Sequence, residues 1–346
     1  MLALLSGCGA FGGSDAPDLP PIGTVGRAAL LAPLTGSSAS LGQIMQAAAS
    51  LGGPINGVSA EVEVRDSGST AETAVAAAQA AVDAGARMIL GPLFSAQCRA
   101  VAQAVGRNIP VVALSNDSDI AGGNLFVFGI TALQSAKTVI GFAAGRGVRR
   151  VGVVVPTGEY GVRSITAVTA VTTGFGLGLT DPVVADSGAG LIDRLRVAGG
   201  GSLPDAVYLP SVSGPFLDQA AALKAAGLQI LGSDQWSAID PSRNDSLIGA
   251  WFPAPDPIGF EAFAIALRES SGAEPGILAG LAYDAVEMAR LLGRFGQQDS
   301  AGLQRAAGFN GVLGTYRFLA DGQCERSLAV LAVARGATTL IGSSAA

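Results

Sequence analysis

The chain has 346 residues, a net charge of −6 and no histidine. Its acidic balance, with no basic stripe, argues against a partner gripped by its phosphate backbone, and the missing histidine removes imidazole bases, Ser-His-Asp triads and imidazole-held metals. Hydrophobic residues make up 49% and aromatics only 5%, and no run of about 18 strongly apolar residues marks a membrane-spanning helix.

The first feature in chain order is Leu5-Ser6-Gly7-Cys8, behind the short apolar stretch MLALL. Small residues directly before a cysteine resemble the lipobox of bacterial lipoproteins. That resemblance implies a diacylglycerol on Cys8, a mature chain beginning there, and a periplasmic protein held to the envelope, at the outer membrane, by its lipid alone. Residues 1–25 then read as a signal remnant and a flexible tether, because the stretch after Cys8 is rich in Gly, Ser, Pro and Asp. Of the other two cysteines, Cys98 falls on the apolar face of a predicted helix and Cys324 beside a predicted turn. Neither sits in a CxxC or metal spacing, and free thiols or a Cys98–Cys324 disulfide both stay open.

From residue 26 short apolar runs alternate with Ala-rich helical stretches. The predicted strands are 27–33, 60–66, 87–91, 110–115, 125–130, 150–156, 205–210 and 228–233. The predicted helices between them include 70–86, 95–107, 131–147 and 214–227. Ser69 or Thr70 caps the first of these, with Glu72 in its first turn and Gly85 at its end. Nearly continuous apolar strands suit sheets buried on both faces, and alternation with helices predicts parallel strands. The stretch FNGVLGTYRFLADGQCERSLAVLAVAR reads instead as strands around the turn Ala320-Asp321-Gly322. The fold class is therefore α/β, with two lobes, each a parallel sheet flanked by helices, and a C-terminal β-hairpin.

Several strands end in loops of one kind. They contain Ser37-Ser38, Phe94-Ser95, Ser115-Asn116-Asp117, Tyr160, Ser211 and Ser233-Asp234-Gln235-Trp236. Ligands of open parallel sheets bind at the carboxyl ends of strands, where hydroxyls and free backbone N–H groups at helix starts suit an anion. Any one such loop reads as an ordinary helix cap; six, drawn from both halves, point to a shared cleft. The Gly-rich stretch 174–179 lacks the Lys-Ser/Thr of a phosphate loop and reads as a turn. Asp66 reads as a cap or loop anchor. Trp236 and Trp251 read as ligand stackers or as packing, with packing favoured for Trp251.

The stretches ALLAPLTGSSASLGQIMQAAASL (29–51), EVRDSGSTAETAVAAAQAAVDAGARMILGPLFS (63–95), IPVVALSND (109–117), VGVVVPTGEYG (151–161), LAYDAVEMARLL (281–292) and FNGVLGTYRFLADGQ (309–323) resemble type I periplasmic binding proteins, the Leu/Ile/Val-binding family above all. GPLFS, ALSND and AGGNLFVFGI resemble one branch more narrowly, the penicillin-binding protein activator lipoproteins. The family fold implies two lobes joined by three crossing segments: residues 26–130 with about 255–308, residues 131–254 with about 309–335, and a tail at 336–346. The resemblance places Ser95 and Ser115 where amino-acid binders hold the ligand carboxylate, and Tyr160 where an aromatic covers the ligand. An ammonium group would need an acidic partner, for which Asp234 is the first candidate and Asp117 the second. Phe94 and Asn116-Asp117 stand where small Ser/Thr-rich loops are usual, so Phe94 is placed to fill the pocket.

No nucleophile–base pair is visible and the chain has only two lysines, Lys137 and Lys224, so no enzyme activity, cofactor or metal is expected. The leading expectation is a receptor that closes on a small polar ligand, amino-acid-like or a peptidoglycan fragment, and delivers it to an ABC permease. The alternative is a regulator of a peptidoglycan synthase with a vestigial cleft. A hydrolase on a related αβ fold is the weakest of the three.

Overall fold

The computed structural model describes residues 26–52, 61–212 and 214–344; Cys8, the expected tether, Ala60 and Ser213 lie outside the described residues. In the first lobe β1 (Arg27–Ala32), β2 (Val62–Asp66), β3 (Ala86–Leu90), β4 (Val111–Ala113) and β5 (Leu125–Val127) form a parallel sheet in the order β2-β1-β3-β4-β5. The helices α1 (Ala39–Ala49), α2 (Ala71–Asp83) and α3 (Ser95–Ala104) connect these strands. The unbroken apolar run of β1 has a direct cause. Ala28, Leu30 and Ala32 enter one core, while Ala29 and Leu31 enter a second core on the opposite face, with Ala74 and Ala78 of α2 and Val101 of α3. Each such leucine contributes roughly 1.5–3 kcal/mol through burial. Thr70 caps α2 by accepting a bond from the Thr73 N–H at 3.3 Å, and Gly85, at φ +96°, turns the chain into β3.

The second lobe runs through α4 (Ala132–Gly145), β6 (Arg150–Val155), α5 (Glu159–Gly174), β7 (Gly178–Leu179), β8 (Val183–Val184), α6 (Leu191–Ala198), β9 (Ala206–Leu209), α7 (Gly214–Leu217), α8 (Ala220–Ala225), β10 (Gln229–Gly232) and β11 (Trp251–Ala254). The predicted helix 214–227 is thus two short helices. The chain then returns to the first lobe as α9 (Pro257–Ser271), α10 (Ile277–Arg294) and α11 (Ser300–Leu303). The antiparallel strands β12 (Phe309–Gly311), β13 (Gly314–Phe318) and β14 (Cys324–Arg326) follow, with the expected turn at Ala320-Asp321-Gly322 between β13 and β14. Finally β15 (Ala329–Ala334) and β16 (Ala337–Ser343) extend the second sheet, whose order is β16-β15-β11-β10-β9-β6-β7, with β8 also on β6. Crossings between lobes fall at residues 128–131, 255–256 and 327–328.

Three expectations change here. Residues 309–326 pack with the first lobe, not the second: Phe309, Tyr316 and Phe318 share a core with Phe126 and Phe128, and the Val127 N–H donates to the Gly322 carbonyl at 2.8 Å. The supposed tail from residue 336 is largely β16, an edge strand antiparallel to β15. Cys98 and Cys324 are both free and buried, in cores on opposite faces of the first sheet, which rules out their pairing in this fold. Burial pushes their thiols up, to about 12 and about 11.

A buried ion pair fastens the crossings. Arg326 Nη1 lies 3.5 Å from Asp284 Oδ2, with the two side chains 0% and 1% exposed. The guanidinium sits over the rings of Phe128 and Tyr316, at 4.5 and 4.8 Å, and donates to the Phe128 carbonyl at 3.4 Å. Asp284 accepts from the backbone N–H groups of Val312 and Leu313 at 2.7 and 3.3 Å. Burial raises its carboxyl above the usual range, against the opposing pull of Arg326 and the two N–H groups. Two crossings, at Phe128 and just after Arg326, are thereby tied to α10.

Candidate functional site

Loops at the carboxyl ends of strands in both lobes carry the candidate residues, and an ion pair between Asp117 and Arg163 joins the two sets. In the first lobe β3 leaves through Gly91, at φ +75°, where a Cβ would stand 2.5 Å from the Leu31 carbonyl oxygen, so only glycine passes. This tight exit presents Phe94 and Ser95 at the start of α3. Ser95 Oγ lies 3.2 Å from Ser115 Oγ, and the Asp117 N–H donates to Ser115 Oγ at 3.2 Å. Asp117 itself accepts from the Asp119 N–H at 3.2 Å and starts a short helical turn. Ser95, Ser115 and Asp117, named separately from the sequence, form one cluster. Phe94 is 39% exposed and Asn116 is exposed. Ser37 is exposed and Ser38 half-buried, at the start of α1, where Ser38 makes no side-chain cap. Asp66 is the expected anchor: it accepts from Thr35 Oγ1 at 2.6 Å and from the Leu34 and Gly68 N–H groups at 2.9 and 2.8 Å. Burial opposes its ionisation, but these bonds outweigh it and lower its carboxyl.

In the second lobe Tyr160, on the first turn of α5, donates to the Pro210 carbonyl at 3.2 Å, beside Ser233 Oγ, which donates to the same oxygen at 2.6 Å. Burial, and secondly the charge of Asp234, push the tyrosine hydroxyl up to about 12, so it remains a donor. The Asp234 N–H donates to Ser135 Oγ at 3.0 Å. Desolvation raises the Asp234 carboxyl to about 6, with hydrogen bonds from Ser135 and its own backbone holding it down in part. Among the described residues no Arg or Lys forms an ion pair with it. Near neutral pH Asp234 is thus an unpaired carboxylate, and such a group favours a cationic neighbour. Ser211 is half-buried in the loop after β9.

Trp236 is not a ligand contact. It is 0% exposed, its indole donates to the Leu209 carbonyl at 3.1 Å, and its ring fills the space left by Gly232, whose Cβ would meet it at 2.4 Å. Trp251 packs edge-on against Phe142 at 5.3 Å, as favoured from the sequence.

Sequence reasoning missed Ser135 and Arg163. Arg163, on α5 of the second lobe, reaches Asp117 of the first, Nη1 to Oδ1 at 3.4 Å. Arg99 of α3 approaches the other oxygen of Asp117 at 4.0 Å. Tyr160 and Arg163 are three apart on one helix face, a spacing that could have linked them. For Ser135 no comparable signal exists.

Two sheet-based lobes joined by three crossings, with hydroxyls at the strand ends of each, have the form of a two-lobed binding fold. The chain belongs to the periplasmic binding protein family, whose model matches residues 27–338. It is similar in structure to a protein from Rhodospirillum rubrum assigned to branched-chain amino acid ABC transport, with TM-score 0.77, 23% identity and coverage of 92% of this chain and 100% of that one. It is also similar to a leucine-binding protein from Thermotoga maritima, with TM-score 0.62, 21% identity and coverage of 92% and 98%. A third is an ABC-transporter solute-binding protein from Rhodopseudomonas palustris in complex with 3,4-dihydroxybenzoic acid, with TM-score 0.65, 19% identity and coverage of 92% and 97%. No curated protein matches the chain in sequence.

Proposed function

We propose that the chain is a non-enzymatic solute receptor of an ABC transporter and that its ligand is a small zwitterion, an amino acid or an amino-acid-like peptidoglycan fragment. The observation that carries this reading is the unpaired Asp234 carboxylate in a cleft whose other lobe presents the paired hydroxyls of Ser95 and Ser115. An α-carboxylate would take the two hydroxyls and an α-ammonium would neutralise Asp234, with Tyr160 over the ligand. Ligands named for similar structures, amino acids and a benzoate, all carry a carboxylate. Only amino acids also use an acid such as Asp234. A peptidoglycan-synthase regulator with a vestigial cleft is the second reading, in which Phe94, 39% exposed beside Ser95, would fill the space between the lobes. Leu5-Ser6-Gly7-Cys8 supports a lipid on Cys8 and tethering in the periplasm.

The test is a thermal-shift screen of the full chain against amino acids, short peptides, muropeptides and benzoates. A ligand at about 100 times its Kd stabilises the native state by ~2.7 kcal/mol. A shift with amino acids or muropeptides that is lost in Ser95→Ala and in Asp234→Ala supports the reading. A shift with benzoates that survives Asp234→Ala overturns the zwitterion assignment. Silence across the panel, with a synthase retained in a pull-down, favours the regulator.

A further inference from the structure

The contact between Asp117 and Arg163 joins the two lobes directly. Asp117 belongs to the first lobe by both its neighbours: its N–H is held by Ser115 and its carboxylate caps the turn that packs on β5 and α3. Arg163 belongs to the second, because α5 inserts Ala167, Val168 and Val171 into the core formed with β6. The Asp117 side chain is 7% exposed and that of Arg163 29%, so the pair is shielded from water on the first-lobe side and reachable from the second.

We propose that this pair is a latch between the lobes, and that moving them apart to admit a solute requires breaking it. Two features make the break reversible. Asp117 keeps Arg99 of its own lobe within 4.0 Å, so its charge is not stranded when Arg163 leaves. Arg163 likewise keeps Glu159, one turn earlier on α5 at 3.8 Å and 91% exposed, as a partner when the lobes part. Each charge therefore loses one partner and retains another, which keeps the two arrangements close in free energy. The latch rests on the reading that the lobes close around a solute.

Lobe separation in the solute-free full chain tests this by small-angle X-ray scattering. Asp117→Asn keeps the turn cap and removes the charge, and Arg163→Gln removes the other partner. Each should raise the open population by roughly 1.5–5-fold, the range expected for a partly exposed pair. The double variant should do no more than either single one. Arg99→Gln, which removes the charge that compensates Asp117 once the lobes part, should not open the molecule. In the unaltered chain, added salt should expand the molecule, and this response should vanish in Arg163→Gln. Unchanged scattering in both single variants and with salt would overturn the latch, as would an equal effect of Arg99→Gln. Failure of the latch alone, with amino acids still stabilising the protein, leaves the receptor reading standing. Failure of every solute to bind, with Arg163→Gln still opening the molecule, removes that reading and keeps the latch.

Discussion

Two Asp–Arg pairs of the same chemistry do opposite work in this molecule. Asp284 and Arg326 are sealed from water, flanked by two aromatic rings, with Asp284 held by two backbone N–H groups, and both belong to elements of the first lobe. Asp117 and Arg163 lie at the edge of the cleft, and each has a second partner on its own lobe. The difference shows that an ion pair becomes a fastener or a switch according to what each charge would face alone. Arg326 faces rings and a carbonyl, so losing Asp284 strands it; Arg163 faces Glu159 and water.

The largest expected effect breaks the sealed pair. Arg326→Leu leaves Asp284 buried without its cation and should cost about 3–5 kcal/mol in urea unfolding. A cost below ~1 kcal/mol would mean that water reaches Asp284 and that the two pairs differ less than their burial suggests.

An intermediate effect comes from Asp234, an acid with no cation at all. Its carboxyl titrates near about 6 in the fold against 3.8 ordinarily, so the folded state binds this proton more tightly than the unfolded one. The favourable contribution is present below pH ~4 and is lost as pH rises through about 6. Asp234→Asn escapes that loss. It should match the parent at pH 4 and exceed it above pH 6, by on the order of 1 kcal/mol after allowing for partial exposure. Thermal melts across that window check the sign. An ammonium-bearing solute should bind the parent more weakly as pH falls below about 6, and bind Asp234→Asn with no such dependence.

The smallest effect belongs to the pair between the lobes. Asp117→Asn should change global stability by less than ~1 kcal/mol while it changes lobe separation. A stability loss as large as that of Arg326→Leu would make Asp117 a fastener too and erase the contrast.

The sheets were readable from the chain because burial on both faces forces runs such as 28–32 and 151–155 to be free of polar side chains. The hairpin at Ala320-Asp321-Gly322 was readable too, but a turn signal carries no information about which core its strands cover, and residues 309–326 went to the wrong lobe. Ser95, Ser115, Tyr160 and Asp234 do fall at strand ends or in the first turns after them, because strand ends can be located in the chain. Trp236 was misplaced because an aromatic after a strand looks the same whether it faces a cleft or a core. Gly232, four residues earlier, was the available clue. Arg163 was overlooked because its role lies in a contact with residue 117 that no local pattern encodes.

The three crossings have a consequence for how this protein is made. Neither lobe is a continuous length of chain: the first waits for α10 and β14, and the second for β15 and β16. A nascent chain that has reached Ala254 owns a complete first sheet, one face of which still lacks the cover of α10 and β12–β14, and a second sheet that still lacks β15 and β16. Both lobes are therefore finished only when almost the whole polypeptide has been made. The same arrangement means that neither lobe can be excised, swapped or produced alone by cutting the gene once.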